Sequence, residues 1–321
     1  MANAAKAATA KSDVHGVLVV DKPRGLTSHD VVARVRRVVG QKSVGHAGTL
    51  DPMATGVLVV LLGEATKLTP WLTANAKSYT CTLQLGVETA SGDADGLEGR
   101  REPIGPELQH ALRLAESGAI SDVLEQALQV ERGRTQQVPP VISAIHVDGV
   151  RAYERVRRGE EVVLESRAVA TERLTLEEVQ AADARLTVSL HVSKGYYVRA
   201  FARDLAASLG TVAHLTALRR SQSGPFTLSH ALTLDDLTRD VALAALISCE
   251  SAAQLTLPTI ILDTEKTAFA RQGKRFPWPD FREPVVHAWL DDGGKLVAVG
   301  EARDGLACVV RGFFAPSSQG G

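Results

Sequence analysis

The chain has 321 residues, 45% of them apolar and 23% charged, with a formal net charge of −1. That is long enough for one large and one small core, and the near-zero charge excludes binding to nucleic acid through global basicity, so any RNA surface must be a local basic face. No apolar run approaches the ~18 residues of a membrane span, and the separated cysteines Cys81, Cys249 and Cys308 show no metal-ligand spacing.

Residues 1–13 are Ala, Lys and small polar types without the apolar stretch of a secretory signal. They read as a disordered tail, and the cytoplasm is the expected location. Gly16 to Val20 reads as a strand ending in the turn Asp21-Lys22-Pro23-Arg24-Gly25. Thr27 or Ser28 can cap the helix that follows. Val31, Val32, Val35, Val38 and Val39 give that helix one apolar face, and Gly40 stops it. Arg34, Arg36, Arg37 and Lys42 are either a solvated basic face or phosphate contacts.

The stretch from Ser43 to Gly56 carries the most information. Gly45, Gly48 and Gly56 punctuate it, it holds His46 and Asp51, and it enters the apolar strand Val57–Leu62. Pro52 biases Asp51 toward an extended backbone. The expectation is a rigid loop presenting Asp51 at the edge of a buried sheet. On these residues alone a turn with an Asx cap is the simpler reading.

Ser78 to Leu85 alternates apolar and polar residues as a half-buried strand does, placing Tyr79 on its apolar face. Residues 86–106 read as an exposed loop. Helical pattern returns over 107–114 and 123–130, and Gly133 to Pro140 breaks it. A short strand is expected over 143–147, a short basic helix over 152–158 and a strand over 186–192. Ser193-Lys194-Gly195 then leads through Tyr196-Tyr197-Val198-Arg199 into a helix ending near Leu209-Gly210. Residues 231–256 read as a helical connector. From Leu257 short strands with Gly and Pro turns predict a separate small β domain, including a hairpin over Asp291-Asp292-Gly293-Gly294.

Several separated motifs together resemble the bacterial TruB family of tRNA pseudouridine-55 synthases. They are Gly16-Val17-Leu18 through Asp21-Lys22-Pro23; the loop His46-Ala47-Gly48-Thr49-Leu50-Asp51-Pro52; Lys77-Ser78-Tyr79; Gln137-Val138-Pro139-Pro140 with Ser143-Ala144 and Arg151-Ala152-Tyr153; Lys194-Gly195-Tyr196-Tyr197-Val198-Arg199; and the segment Leu215 to Arg220. The resemblance implies an α+β pseudouridine synthase fold over 14–250, with a mixed, mostly antiparallel central sheet, flanking helices and an RNA-embracing insertion at about 130–160. It also implies a PUA-like RNA-binding β-barrel over 257–316, with 317–321 a tail.

By the same resemblance Asp51 is the nucleophile, and Tyr79 and Arg199 are its catalytic companions. Tyr79 also contacts the substrate. Tyr197 packs against the flipped base and Leu218 lines the uracil pocket. His46 contacts the RNA and fills the gap left by the extruded nucleotide, while Lys22 has a phosphate or structural ion-pair role. The implied substrate is uridine 55 in the T-arm stem-loop of tRNA, bound by a monomer with no metal, cofactor, guide RNA or membrane. Arg34–Lys42, Arg151–Arg158 and Arg219–Arg220 are the candidate basic contacts.

The chain departs from the family pattern at four places. Tyr196 stands where Thr is usual, Glu131 where an apolar aromatic is usual, Ile142 where Tyr is usual and His146 where Lys is usual. None belongs to the set Asp51, Tyr79 and Arg199.

The chemistry can be argued from residue types. A glycosidase needs two carboxyl groups, whereas an isomerase that retains its leaving base can work with one. Ionised Asp51 can attack the sugar, initiate proton loss from it or attack the base. Arg199 is the cation that would keep it charged in a closed pocket. The rival readings are a guide-RNA-dependent pseudouridine synthase and an RNA-binding protein that has lost catalysis.

Overall fold

The computed structural model describes residues 13–143, 145–147, 149–152, 155, 158–278 and 285–313. Both terminal tails, Ala144, Tyr153 and most of the expected 152–158 helix lie outside the described residues.

Nine strands form the large sheet. They are β1 (Gly16–Lys22), β2 (Val44–Ala47), β3 (Thr55–Leu62), β4 (Lys77–Leu85), β5 (Thr171–Gln180), β6 (Arg185–Val192), β7 (Ala213–Ser223), β8 (Phe226–Thr227) and β9 (Ala231–Thr233). The order is β5-β6-β4-β7-β3-β1-β9, with β2 on β3 and β8 on β7. Pairing is antiparallel except for β7 with β3 and β1 with β9, as the expected mixed sheet requires.

The β7–β3 contact is short. It consists of Arg219 against Thr55 and Arg220 against Gly56. There the half-sheet β5-β6-β4-β7 meets the half-sheet β3-β1-β9, and the loop carrying Asp51 enters β3 at that seam. Gly56 has φ +103°, and a Cβ there would lie 2.1 Å from the Arg220 carbonyl oxygen. Only glycine fits so close an approach.

Helices cover one face of the sheet. They are α1 (Ser28–Val39), α2 (Pro106–Glu116), α3 (Asp122–Arg132) and α4 (Val198–Ser208). Thr27 is the cap of α1: its hydroxyl accepts from the Asp30 N–H, and Asp30 accepts from the Thr27 N–H. Gly40, at φ 75°, ends the helix. Val31, Val32, Val35 and Val39 are buried against Leu18, Val20, Leu58 and Val60 of the sheet.

The opposite face, under β1 and β3, is covered differently. Val17, Val19, Val57, Val59 and Leu61 share one core with Ala252 and Ala253 of α5 (Cys249–Thr256) and with Ala288, Leu290, Leu296, Val299 and Phe313. The last five lie in, or in the case of Phe313 directly after, a five-stranded C-terminal sheet, in order β10 (Thr259–Ile261), β12 (Val286–Leu290), β13 (Leu296–Arg303), β14 (Leu306–Gly312) and β11 (Phe276–Pro277). The expected hairpin is β12–β13. The C-terminal sheet is fastened to the large one by apolar burial, a stabilisation of roughly 1.5–3 kcal/mol per large side chain.

Three elements differ from expectation. Residues 231–256 are not a continuous helical connector: β9 extends the sheet beside β1, and a short helix at Arg239–Ala244 precedes α5. The 86–106 segment forms a ribbon of Val87–Thr89 with Glu98–Arg101 and buries Asp93. The edge strand β5 escapes the sequence pattern because most of its side chains are exposed or half-buried, leaving no apolar alternation.

The seam predicts a contrast between two glycines with positive φ. Gly25, at φ +88°, has nothing within 4 Å of a built Cβ. Gly25→Ala should cost about 1 kcal/mol from backbone strain. Gly56→Ala should cost several times more, or abolish soluble folding. Urea unfolding midpoints of the two variants compare them; equal midpoints would contradict the close-packed seam.

Candidate active site

The loop carrying Asp51 is pinned along its backbone. Ser28 accepts from the Leu50 N–H at 2.9 Å and donates to the Leu50 carbonyl at 3.2 Å. Arg220 donates to the carbonyls of Gly48 (3.0 Å), Thr49 (3.4 Å) and Val57 (2.7 Å). Lys22 Nζ donates to the Pro52 carbonyl at 3.1 Å and to those of Pro23 and Leu26 at 2.9 and 2.6 Å. The Gly25 N–H also reaches the Pro52 carbonyl, at 2.8 Å. Carbonyls on both sides of Asp51 are therefore fixed by groups from other elements, and its position is set before substrate arrives.

Lys22 and Arg220 are both 0% exposed. Burial pushes the Lys22 ammonium down to about 8, with the Arg220 charge adding to the effect and Asp51 opposing it. Lys22 is thus enclosed although it stands at the start of a turn. Its ammonium holds carbonyls, which favours the structural role over the phosphate role. Arg220, expected among the basic RNA contacts, is a loop clamp. Arg219 pairs with Asp21 through two contacts of 2.7 and 3.1 Å.

Arg199, the second residue of α4, meets Asp51 side-on. Its Nε lies 2.9 Å from Oδ2 and its Nη2 3.0 Å from Oδ1. Such a planar fork is the strong form of this pair. The Arg199 side chain is 7% exposed and that of Asp51 29%, so the carboxylate remains reachable while its partner is enclosed. Nη1 of Arg199 donates to the Ser91 carbonyl at 2.7 Å, and Asp93 Oδ2 lies 3.9 Å from its Nε.

Asp93 was not singled out by sequence. It accepts from the Ser91 hydroxyl at 2.5 Å and the Asp95 N–H at 3.2 Å. Burial pushes the Asp51 carboxyl up, Arg199 pulls it down, and the like charge of Asp93 pushes it up again.

The other expected site residues divide into two sets. Tyr79, buried on β4, lies in register with Arg220 of β7, which lies in register with Gly56. Tyr79 and the loop entry thus share one line across three strands. Leu218 is buried on the same helix-covered side of the sheet. Tyr197 is the N-cap residue of α4. Burial raises its phenol, Arg167 and Arg199 lower it, and Asp51 raises it, so it stands within electrostatic reach of the pair.

His46 lies further back, on β2 opposite Val60 rather than in a loop, with its ring edge on His29 at 5.4 Å between centroids. Burial, then His29 and Arg220, push it down to about 4, so it is neutral at pH 7. Its Nδ1 is buried without a partner among the described residues.

Two of the four departures lie together. Glu131 is fully buried, and the Arg134 Nε and Nη2 grip its carboxylate at 2.7 and 2.5 Å. Buried Tyr196 is close enough for both charges to act on its phenol. Ile142 is half-buried, and the side chain of His146 lies outside the described residues.

The fold places the chain in a class. It superposes on a chain from a structure of an H/ACA RNP bound to a substrate RNA containing 2′-deoxyuridine, with TM-score 0.67 and 21% identity, covering 94% of this chain and 86% of that one. A chain from a Cbf5–Nop10–Gar1 complex gives TM-score 0.66 and 24% identity, covering 90% and 78%. This is the pseudouridine synthase fold.

Residues 36–198 match the model of the TruB family pseudouridylate synthase N-terminal domain, and residues 199–267 that of the tRNA pseudouridylate synthase B C-terminal domain. The join between the two falls inside α4, so it is not a boundary of the fold. The tRNA pseudouridine synthase B of Cutibacterium acnes is 42% identical over 288 residues, covering 88% of this chain and 92% of that protein. That of Arthrobacter sp. strain FB24 is 43% identical over 316 residues, covering 95% and 98%. The chain belongs to the TruB family, and its activity is that of a tRNA pseudouridine synthase. Among the described residues no helix is long and apolar enough to cross a membrane.

The opposed effects of Arg199 and Asp93 on Asp51 predict opposite shifts in pH dependence. With Asp51 reacting as the ionised carboxylate, as the family resemblance implies, the rate would rise as pH passes the Asp51 pKa. Arg199→Ala removes the lowering charge and should move the acid limb of kcat/KM to higher pH. Asp93→Asn removes the raising charge and should move it to lower pH. Shifts in the same direction would contradict this reading of the electrostatics.

Proposed function

We propose that the enzyme isomerises uridine 55 in the T-arm loop of tRNA, with Asp51 as the nucleophile and the target nucleotide flipped out of the loop. The reaction breaks the N1–C1′ bond, forms C5–C1′, removes the C5 proton and leaves a proton on N1. The base is retained throughout. The observation that carries the reading is the Asp51–Arg199 fork: a partly open carboxylate on an enclosed guanidinium, with Tyr197 within electrostatic reach and Tyr79 and Leu218 on the same side of the sheet.

Asp93, though near, is 4% exposed and faces Arg199 and Ser91. It does not offer the second substrate-facing carboxyl of a glycosidase, which supports an isomerase acting through one. Tyr79 supplies a flat face to the uracil and a hydroxyl for the final C5 proton removal. Neutral His46 and its neighbour His29 supply bulk where a flipped nucleotide leaves a gap.

RNA would be read by loop shape and phosphate contact. Arg34, Arg37 and Lys42 are exposed, and Arg36, Arg37 and Lys42 line an open depression of about 660 Å³, which favours the phosphate reading of this face. The C-terminal sheet acts as a PUA-type RNA-binding module, and the enzyme works as a monomer without guide RNA. The match of the chain to bacterial tRNA pseudouridine synthase B relatives over nearly their full length supports this.

A T-arm hairpin of roughly 17 nucleotides should therefore be a substrate by itself. Pseudouridine mapping after incubation with purified enzyme checks this. Asp51→Asn should remove activity by more than about two powers of ten while hairpin binding stays within a few fold. Reaction only in the presence of accessory proteins or a second RNA would overturn the stand-alone reading. Turnover by Asp51→Asn at a hundredth of the wild-type rate or faster would overturn the nucleophile.

A further inference from the structure

The root of the insertion is fastened to the helix that carries Arg199. Residues 136–137 pair with 167–168 as a short two-stranded ribbon, and Gln137 is 2% exposed. Its Oε1 accepts from the Tyr197 backbone N–H at 2.8 Å. The oxygen must be the atom on that side, because a backbone N–H can only donate. Tyr197 is the N-cap of α4, and its own side chain makes no capping hydrogen bond. The first N–H groups of a helix have no partner within it, so Gln137 supplies from 60 residues away what a local cap supplies elsewhere.

Two further ties run from the same root to the same helix. Arg203 Nη2 donates to the Val138 carbonyl at 2.9 Å, and Arg134 Nη1 lies 3.6 Å from Asp204 Oδ2. Residues 134–138 thus hold α4 at three points, and the first is two residues from the Arg199 fork.

The Nε2 of Gln137 is buried with no acceptor among the described residues. An amide buried with one end unsatisfied is unfavourable. An apolar side chain of similar size would fill the space without that penalty, so packing does not explain the residue.

We propose that Gln137 is a positioning residue that couples the insertion to the catalytic helix. It holds the start of α4, and with it the Arg199 fork on Asp51, in register with the segment that embraces RNA. This rests on Asp51 and Arg199 being the reacting pair. The role is separate from RNA contact, since the amide is enclosed.

The test compares Gln137→Met, which keeps the size and loses both hydrogen-bonding ends, with Gln137→Glu, which keeps an acceptor for the Tyr197 N–H. In Gln137→Met the single-turnover rate on saturating tRNA transcript should fall about tenfold, the effect of losing one hydrogen bond that places a reacting group. Its Kd for tRNA should stay within about twofold, because the side chain is buried. Hydrogen exchange at the Tyr197 amide should accelerate in Gln137→Met and return toward wild type in Gln137→Glu, with the rate recovering in parallel.

A lower melting temperature with an unchanged rate per folded molecule would overturn the proposal, leaving a merely structural residue. Weaker binding with an unchanged saturated rate would also overturn it. Should Gln137→Met not fold, Arg203→Met, which cuts the second tie, must lower the saturated rate without weakening binding. If wild-type enzyme leaves uridine 55 unchanged, the reading of the site fails instead, and Tyr197 exchange still decides whether the latch exists.

Discussion

Arg220 enters the large sheet where its two halves meet through two register pairs, and the rest of the active site depends on that contact. The guanidinium is fully buried, and its hydrogen bonds go to backbone carbonyls on both sides of the Asp51 loop. A buried cation with good acceptors is tolerable; one stripped of them is strongly destabilising. The loop and the arginine therefore stabilise each other. Gly56 makes the arrangement possible by letting the two backbones touch. Ser28 and Lys22 close the loop from the α1 side, so a loop of glycines becomes one of the most constrained segments of the chain.

A rigid loop allows a carboxylate to be held in an unfavourable place. Burial works against ionised Asp51, and the fork of Arg199 works for it. The guanidinium is aligned in turn by the Ser91 carbonyl and Asp93. The arrangement resembles a lever with both ends fixed: the loop fixes the carboxylate, and the ribbon of residues 87–101 with the start of α4 fixes the guanidinium. The carboxylate remains partly open, as the proposed reaction requires. Preorganisation of this kind is the main way a protein stabilises developing charge without reorganising during the reaction.

Much of the candidate site could be named in advance because the family resemblance rests on local motifs. Asp51 follows a glycine turn and precedes an apolar strand, Tyr79 falls on the apolar face of an alternating strand, and Arg199 opens a helix. The contacts of the supporting residues were not legible, even where the residue itself, as with Lys22, is singled out by the resemblance, and the reason is physical. Arg220, Lys22, Ser28 and Gln137 act on backbone groups far away in sequence, and a backbone carbonyl leaves no trace in a residue pattern. A turn lysine and a strand arginine look solvent-facing by composition, and only the fold shows them enclosed. Asp93 hides in the same way within Ser91-Gly92-Asp93-Ala94-Asp95-Gly96, whose composition is that of an exposed loop. Among the fold elements, β9 was lost in an Ala- and Leu-rich stretch because three residues of edge strand give no periodicity. The small β region was visible by texture, but its shared core with β1 and β3 was not, since Val17, Val19 and Val57 read equally well as facing a helix.

The central claim is that the pinned Asp51 carboxylate starts a rearrangement in which the base leaves N1 and returns through C5. The most direct measurement places 5-fluorouridine at position 55 of a T-arm hairpin. Fluorine occupies the site from which a proton must depart, so the last step is blocked after the new bond has formed. Incubation with wild-type enzyme should give a stalled adduct or a hydrated, C1′–C5-linked product, identified by mass spectrometry of the digested RNA, and Asp51→Asn should give neither. Recovery of unchanged 5-fluorouridine from hairpin that binds the wild-type enzyme normally would contradict the account.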